Sequence, residues 1–344
     1  MKAFRSGDKL PEELPTGAKE ILALLPPRVL GYALHEKEWA QFNVKALGPV
    51  QWEGQKQAWK NLELDPLEKE RIRLLVKNHI LLREGKNKVR PEDLVGDLIG
   101  GKGQGLVLLF HGVPGVGKTM TAEALAEETK KPLLKVGAKE LNYSNLSFTS
   151  TQLEKYFDLA KDWDAIMLID EADVFLRDRI NLDSLEAGLV SGNCTEMLRV
   201  LEYFQGVLIM TTNRIKVIDL AMQSRIHLAV LYSELEGSRA KKVWHNYRNQ
   251  LKAGNSTETE INEIKRWIDE RDDALEPDGL NGRQIRNIFT LAQILAQEND
   301  GKITLAHIKE MWRSTFMFGR QLRDFVSTEQ DKFIVGKNDG KKVK

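Results

Sequence analysis

Leu106-Val-Leu-Leu-Phe110, His111, Gly112-Val-Pro-Gly-Val-Gly-Lys-Thr119 and Met120-Thr-Ala-Glu-Ala-Leu-Ala126 follow one another without a break, and the fold turns on how they are read. The middle segment fits G-x-x-x-x-G-K-[ST] at every fixed position. Its flanks are an apolar run of strand length before and a helix-forming run after, the context this motif requires. Each fixed residue has a physical task. Gly112, Gly115 and Gly117 let the backbone wrap closely around an anion with its N–H groups turned inward. The helix that starts just beyond them directs the positive end of its macrodipole at the same place. Lys118 has the reach for β- and γ-phosphates, and the Thr119 hydroxyl is a ligand for Mg²⁺. The stretch Gly112, Val113, Pro114, Gly115, Val116, Gly117, Lys118, Thr119 and Met120 is therefore expected to hold the phosphates of a nucleoside triphosphate.

Outward from that loop, short apolar runs alternate with helical stretches. Leu106–Phe110, Leu133–Val136, Ala165–Ile169, Val207–Thr211 and Leu228–Leu231 read as buried strands. Thr121–Thr129, Thr151–Ala160 and Thr195–Tyr203 read as helices between them. The alternation predicts an α/β fold, a parallel sheet covered by helices on both faces. After Ser233 the pattern is wholly helical, with helices expected over Leu235–Leu251, Ile261–Arg271, Gly282–Gln297 and Thr304–Phe318. The tail beyond is polar and lysine-rich and is expected to be disordered.

Upstream, Val29–Leu34 and Trp39–Val44 read as two strands of a hairpin, and Pro66 to about Leu82 as an amphipathic helix. An isolated hairpin is marginal, so this one is expected to end a larger β domain. Gly85-Lys-Asn-Lys-Val-Arg90 reads as a linker. The expected organisation is an N-terminal segment over 1–92, an ATP-binding α/β core over 93–232, an all-α lid over 233–326 and a disordered tail over 327–344.

Composition narrows the class. A length of 344 residues accommodates two or three cores, and 42% hydrophobic with 29% charged residues is ordinary for a globular protein. The formal net charge of +1 offers no electrostatic argument for nucleic acid or an anionic membrane. Cys194 is the single cysteine, so no intrachain disulfide forms, which fits a reducing compartment. No apolar run reaches the length of a membrane span and the N-terminus lacks a signal-peptide core, so an intracellular location, cytoplasm or nucleus, is expected.

A second motif supplies chemistry. Ile166-Met-Leu-Ile-Asp-Glu171 ends an apolar strand in two carboxylates. Asp170 stands where an acid would hold Mg²⁺ together with Thr119, and Glu171 is suited to polarise a water for attack on the γ-phosphate. The next strand, Val207–Thr212, runs into Asn213. Ligands of open parallel sheets lie beyond the carboxyl ends of the strands, so Asn213 is expected beside Glu171, where its amide could orient water.

The ordered set of phosphate loop, Asp170-Glu-Ala-Asp173, Thr211-Thr-Asn-Arg214 and Ser224-Arg-Ile226 resembles the motifs of the AAA+ ATPases. The resemblance covers roughly Asp93 to Phe325. It implies a P-loop NTPase fold with a helical lid, ATP and Mg²⁺ as cofactors, and a homo-oligomeric ring, hexameric in the family. It also implies roles: Asn213 as first sensor, Arg225 as a finger presented to a neighbouring subunit's nucleotide, and Arg283 of Asn281-Gly-Arg-Gln-Ile-Arg286 as second sensor, with Arg286 the alternative. Pro26–Tyr32, Gly101–Gly105, Asp170–Leu176 and Gln223–His227 further resemble the C-terminal half of large fungal AAA proteins, which place a β-rich domain before the ATPase core. By that resemblance the chain is a fragment or a shortened member.

Two departures bear on the client. The stretch Leu141-Asn-Tyr-Ser-Asn-Leu-Ser-Phe148 carries Tyr143 and Phe148 but no glycine, unlike the pore loop of threading members. Only one arginine stands in Ser224-Arg225-Ile226, where remodelling members often carry two. The leading expectation is ATP hydrolysis driving conformational change in an oligomeric ring that remodels a macromolecular client, a protein of unknown identity. A nucleic-acid-linked ATPase of clamp-loader type and a nucleotide-gated scaffold with little turnover stay open. The basic residues Arg71, Arg73, Lys77, Arg83, Lys86, Lys88 and Arg90 are interrupted by Glu68, Glu70 and Glu84, as on a solvated helix face. His111 reads as a packing residue, and Tyr32, Trp39, Trp52 and Trp59 as a small N-terminal core. No Cys/His spacing suggests zinc.

Overall fold

The computed structural model describes residues 26–50, 52, 56–86, 103–137, 146–173, 184–214, 218–251, 257–270, 279–299 and 301–339. Expectations for residues 1–25, the linker from 87, Tyr143 and the last five residues lie outside them. Two compact units divide the chain, one of residues 1–111 and 118–231, the other of residues 112–117 and 232–344.

The first unit is built on the sheet. Strands β1 (Arg28–Ala33) and β2 (Glu38–Asn43) form an antiparallel hairpin, with Tyr32 opposite Trp39. The main sheet comprises β3 (Leu106–Gly112), β4 (Leu133–Gly137), β5 (Ile166–Asp170), β6 (Val207–Thr212) and β7 (Leu228–Tyr232), in the order β4-β5-β6-β3-β7. Its central pairs are parallel, with Leu106 beside Val207 and Ile166 beside the same Val207. This is the α/β P-loop fold expected of the sequence. Strands β3, β5 and β6 are apolar up to their carboxyl-terminal one or two residues because both faces of the sheet are covered.

One face carries Val107, Leu109, Met167, Ile169, Leu208 and Met210 into a core with Leu153, Phe157, Met197 and Leu201. Those last four come from α4 (Leu146–Asp162) and α5 (Ser184–Tyr203). Side chains alternate along a strand, so the buried Leu108 and Phe110 face the opposite side. There α2 (Pro66–Arg83) and α3 (Lys118–Thr129) pack, burying Ile72, Val76 and Ile80 from α2 and Ala122, Leu125 and Ala126 from α3. Helix α2 starts sharply because Asp65 Oδ1 accepts from Leu67 N at 2.9 Å and Pro66 occupies the first helical position. A single turn, α1 (Lys56–Asn61), precedes it, and another, α6 (Leu220–Gln223), lies between β6 and β7.

The N-terminal aromatics do not form the small core expected. Tyr32 and Trp39 pack instead, tilted and edge-on, against Trp163, just after α4, with ring centroids 4.9 and 6.3 Å away. Trp59 lies under Lys69 Nζ at 5.6 Å. Docking on Trp163 supplies the apolar contact that an isolated hairpin lacks.

The second unit is helical: α7 (Gly237–Asn249), α8 (Glu258–Glu270), α9 (Gly282–Leu295) and α10 (Leu305–Asp339), with a 3₁₀ turn at Ala296–Asn299. Its core gathers Trp244, Ile264, Ile268, Ile285, Ile288, Phe289 and Ile308. Two helices exceed the sequence expectation by the widest margin. α5 begins at Ser184 rather than Thr195, although Gly188 and Gly192 each weaken a helix by about 1 kcal/mol. α10 runs on through residues 327–339, expected as disordered tail, because the stretch up to Val335 holds neither proline nor glycine after Gly319. Among the described residues no helix is long and apolar enough to cross a membrane.

Candidate functional site

At the carboxyl ends of β3, β5 and β6 the first unit gathers four of the residues singled out from the sequence. Lys118 opens α3, directly after the glycine-rich loop, and is buried, with only its ammonium needing a partner. That ammonium donates to Asn213 Oδ1 at 2.8 Å. Thr119, the next residue, donates from Oγ1 to Asp170 Oδ1 at 3.1 Å. Asp170 also accepts from Thr211 Oγ1 at 2.5 Å and lies 3.0 Å from Lys135 Nζ. Burial alone would raise the Asp170 carboxyl, but hydrogen bonds from Thr211, Lys135 and Thr119 outweigh it and hold it below its ordinary value. Asp170 is thus an oriented, ionised carboxylate with a hydroxyl beside it.

Glu171 is exposed and sits at φ +56°, a left-handed conformation uncommon outside glycine. Its N–H donates to Thr211 Oγ1 at 3.0 Å, so one threonine holds the Asp170 carboxylate and the Glu171 backbone. Thr212 does the same one residue on: its hydroxyl donates to Asp173 and accepts from Arg214 N at 2.9 Å. The loop carrying Asn213 is thereby tied to the loop carrying Glu171. His111 is buried at the end of β3, and burial, then the nearby Lys118 charge, push its imidazole below the ordinary value, so it stays neutral. That fits a packing residue.

The second unit contains the loop from Gly112 to Gly117 itself. Gly115 is at φ +77°, and a Cβ there would fall 2.6 Å from the Asn281 carboxamide. Asn281 is the N-cap of α9 in a full capping box: its Oδ1 accepts from Gln284 N and its N–H donates to Gln284 Oε1, both at 2.9 Å. Gly282 N then donates to Gly115 O at 3.0 Å. The loop is in direct contact with the N-terminus of α9. Arg283 and Arg286 are both exposed, in the first and second turns of that helix.

Arg225 stands apart. It follows α6, and its guanidinium donates to Glu202 Oε1 at 2.7 Å and to Ala221 O at 3.0 Å. A cavity of about 370 Å³ opens beside it, lined among others by Gly105, Glu202, Ser224 and His227. Sequence reasoning missed three participants: Thr211, Lys135 and Asn281. Thr211 stood inside a quoted motif without a role, and Asn281 was legible as a cap from Asn281-Gly-Arg-Gln284. Lys135 gave no signal, since a lysine in a strand of a covered sheet looks like an edge residue.

Hydroxyl and carboxylate oxygens are the hard donors that Mg²⁺ takes, and one carboxylate is enough when phosphates complete the shell. Thr119 and Asp170 fit that ion. Among the described residues no cluster of three or more His, Cys, Asp or Glu could hold a metal without such help.

Residues 108–233 match the family model of the ATPase family associated with various cellular activities (AAA). The chain is 26% identical over 197 residues to a 26S proteasome regulatory subunit 4 homologue of Schizosaccharomyces pombe, covering 55% of this chain and 42% of that protein. It is 28% identical over 203 residues to a proteasome-activating nucleotidase of Methanosphaerula palustris, covering 56% and 46%. It is 27% identical over 204 residues to the ATP-dependent zinc metalloprotease FtsH of Malacoplasma penetrans, covering 57% and 23%. The chain therefore spans less than half the length of each of these relatives. The similarity to that family thus lies in the segment that carries Gly112–Thr119, Asp170 and Asn213.

Proposed function

We propose that the chain hydrolyses ATP with Mg²⁺ and passes the resulting motion to a protein client from within a homo-oligomeric ring. The observation that carries the reading is the cluster of Lys118, Thr119, Asp170 and Asn213, joined by hydrogen bonds directly downstream of a glycine-rich loop. In this reading residues 112–120 bind the phosphates, and Lys118 exchanges Asn213 for the β- and γ-phosphates. Magnesium, when bound, supplies charge neutralisation at those phosphates, held by Thr119 and Asp170. Glu171, its backbone held by Thr211, polarises the attacking water, and Asn213, released by Lys118, orients it. Arg283 reads the γ-phosphate from α9, and Arg225 completes a neighbour's site.

The relatives support a protein client, since their names attach them to proteasomes and to a protease. A six-membered ring and an intracellular location belong to the same proposal, as do the resemblance to the large fungal AAA proteins and the division at residues 92, 232 and 326. A nucleic-acid client is not favoured. Arg71, Arg73, Arg83 and Lys86 of the basic stretch are taken up by Glu68, Glu70, Asp164 and Glu84.

The test is a pair of substitutions with nucleotide binding and phosphate release measured separately. Lys118→Ala is expected to lose ATP binding. Glu171→Gln is expected to bind ATP as the wild type does and to lose turnover by at least about 100-fold, the lower range for removing a positioned general base. Unchanged ATP binding in Lys118→Ala would overturn the assignment.

A further inference from the structure

A second lysine reaches the acid of the site. Lys135 lies in the middle of β4, paired with Leu168 rather than with Asp170, and its side chain runs along the sheet until Nζ is 3.0 Å from Asp170 Oδ2. β4 is the outermost strand at that edge of the sheet. Lys135 is accordingly 44% exposed where Asp170 is 23%, so the ammonium has open space to move through. Glu123 stands one helical turn after Thr119 on the same face of α3, and Thr119 is hydrogen-bonded to Asp170; burial raises the Glu123 carboxyl, Lys135 lowers it and Asp170 raises it. Two acids, Glu123 and Asp170, thus share this corner, while Lys118 is engaged with Asn213.

The electrostatics pose a conflict. Asp170 is the carboxylate assigned to Mg²⁺, and Lys135 already occupies the Oδ2 side of it. A divalent ion and an ammonium at one carboxylate repel each other at short range. A lysine, as a compact charge on a flexible four-carbon stem, can leave without disturbing the backbone. An acid that receives it nearby lowers the cost of leaving.

We propose that Lys135 is a resident cation of the magnesium site, neutralising Asp170 in the nucleotide-free chain and moving to Glu123 when magnesium and nucleotide bind. Lys135 is then a positioning residue that sets how much free magnesium the site needs. The inference rests on the nucleotide-site reading above.

The experiment titrates free Mg²⁺ against the full chain with a fluorescent, non-hydrolysable ATP analogue and reads the midpoint of the magnesium-dependent gain in binding. Lys135→Met removes the competitor while keeping the stem. Its midpoint is expected to fall about twofold to fivefold, the upper range of a partly exposed ion pair. Lys135→Arg keeps the charge and should stay near the wild-type midpoint. Glu123→Gln takes away the receiving acid and should raise the midpoint, an effect that disappears in the Lys135→Met background because the two residues act as one unit. A midpoint unchanged or raised in Lys135→Met overturns the inference, as does a Glu123→Gln effect that persists without Lys135. Failure of the underlying reading shows differently: the wild type would bind the analogue with no magnesium dependence, or Lys118→Ala would bind as well as the wild type.

Discussion

At the scale of single residues, Gly115 shows how one position serves two demands. The sequence identified it as part of a phosphate cradle, and its φ of +77° agrees with a backbone that only glycine adopts cheaply. The structure adds the Asn281 carboxamide, 2.6 Å from where a Cβ would stand and fixed there by its bond to Gln284 N. Gly115→Ala is therefore expected to cost about 1–2 kcal/mol for the left-handed backbone and about 1 kcal/mol for the displaced cap. Urea unfolding of Gly115→Ala, Asn281→Ala and the double variant measures this. Because the cap is lost only once, the double variant should fall short of the sum of the singles by roughly the capping energy. Strict additivity would show that the alanine methyl and the cap do not meet. The motif residues were legible here because each has one chemical task at a fixed spacing. Thr211, Lys135 and Asn281 were not, because their roles depend on which strand ends and helix starts become neighbours.

At the scale of elements, strands and helices of the sheet were legible from apolar runs and their alternation, whereas the attachment of α2 was not. Arg83 Nη1 donates to Asp164 Oδ1 at 2.8 Å, and Lys131 Nζ donates to Glu84 Oε1 at 2.7 Å and to Asp164. These residues are 81, 47 and 33 positions apart in the chain, so no local pattern reports them. They pin the end of α2 to the turns after α3 and α4. The Lys131 bond, then the Lys86 bond, hold the Glu84 carboxyl below its ordinary 4.5. Burial works against the Lys131 charge, but its bonds to Asp164 and Glu84 outweigh that and raise it above its ordinary 10.5. A depressed carboxyl stabilises above its unfolded value and is lost as pH falls through the folded one. A raised ammonium stabilises below its unfolded value and is lost as pH rises through the folded one. The clamp is thus complete between about pH 4.5 and 10.5 and weakens outside that window. Lys131→Met is expected to lower stability near neutral pH by about 1 kcal/mol, the upper range for a pair not fully buried. Thermal unfolding between pH 3 and 7 checks it: the gap between variant and wild type should narrow below about pH 4.5, and a gap constant with pH would deny the clamp its charge.

At the scale of the whole molecule, the sharpest question is what Arg225 does. The resemblance assigned it to a neighbour's nucleotide, yet in the single chain its guanidinium is spent on Glu202 and on the Ala221 carbonyl. A charge-assisted bond of this kind contributes about 1.5–3 kcal/mol when well buried, and at about a third exposed on each side much of that is screened. Exchange of Glu202 for a phosphate is therefore cheap, provided a second subunit brings the phosphate. Assembly and finger release are then one event, and the activity per subunit must depend on concentration. The ATPase rate per subunit, followed across a dilution series, is expected to climb to a plateau in the wild type. Arg225→Ala should bind ATP normally yet stay flat, lower than the plateau by about 10³-fold or more, as for other arginines supplied to a neighbouring site. Glu202→Gln, which loosens the resting contact without touching the nucleotide loop, should reach its plateau at a lower concentration than the wild type. A rate independent of concentration and indifferent to Arg225 would leave a self-contained nucleotide switch, with the Glu202 pair no more than a surface ion pair between α5 and the turn after α6.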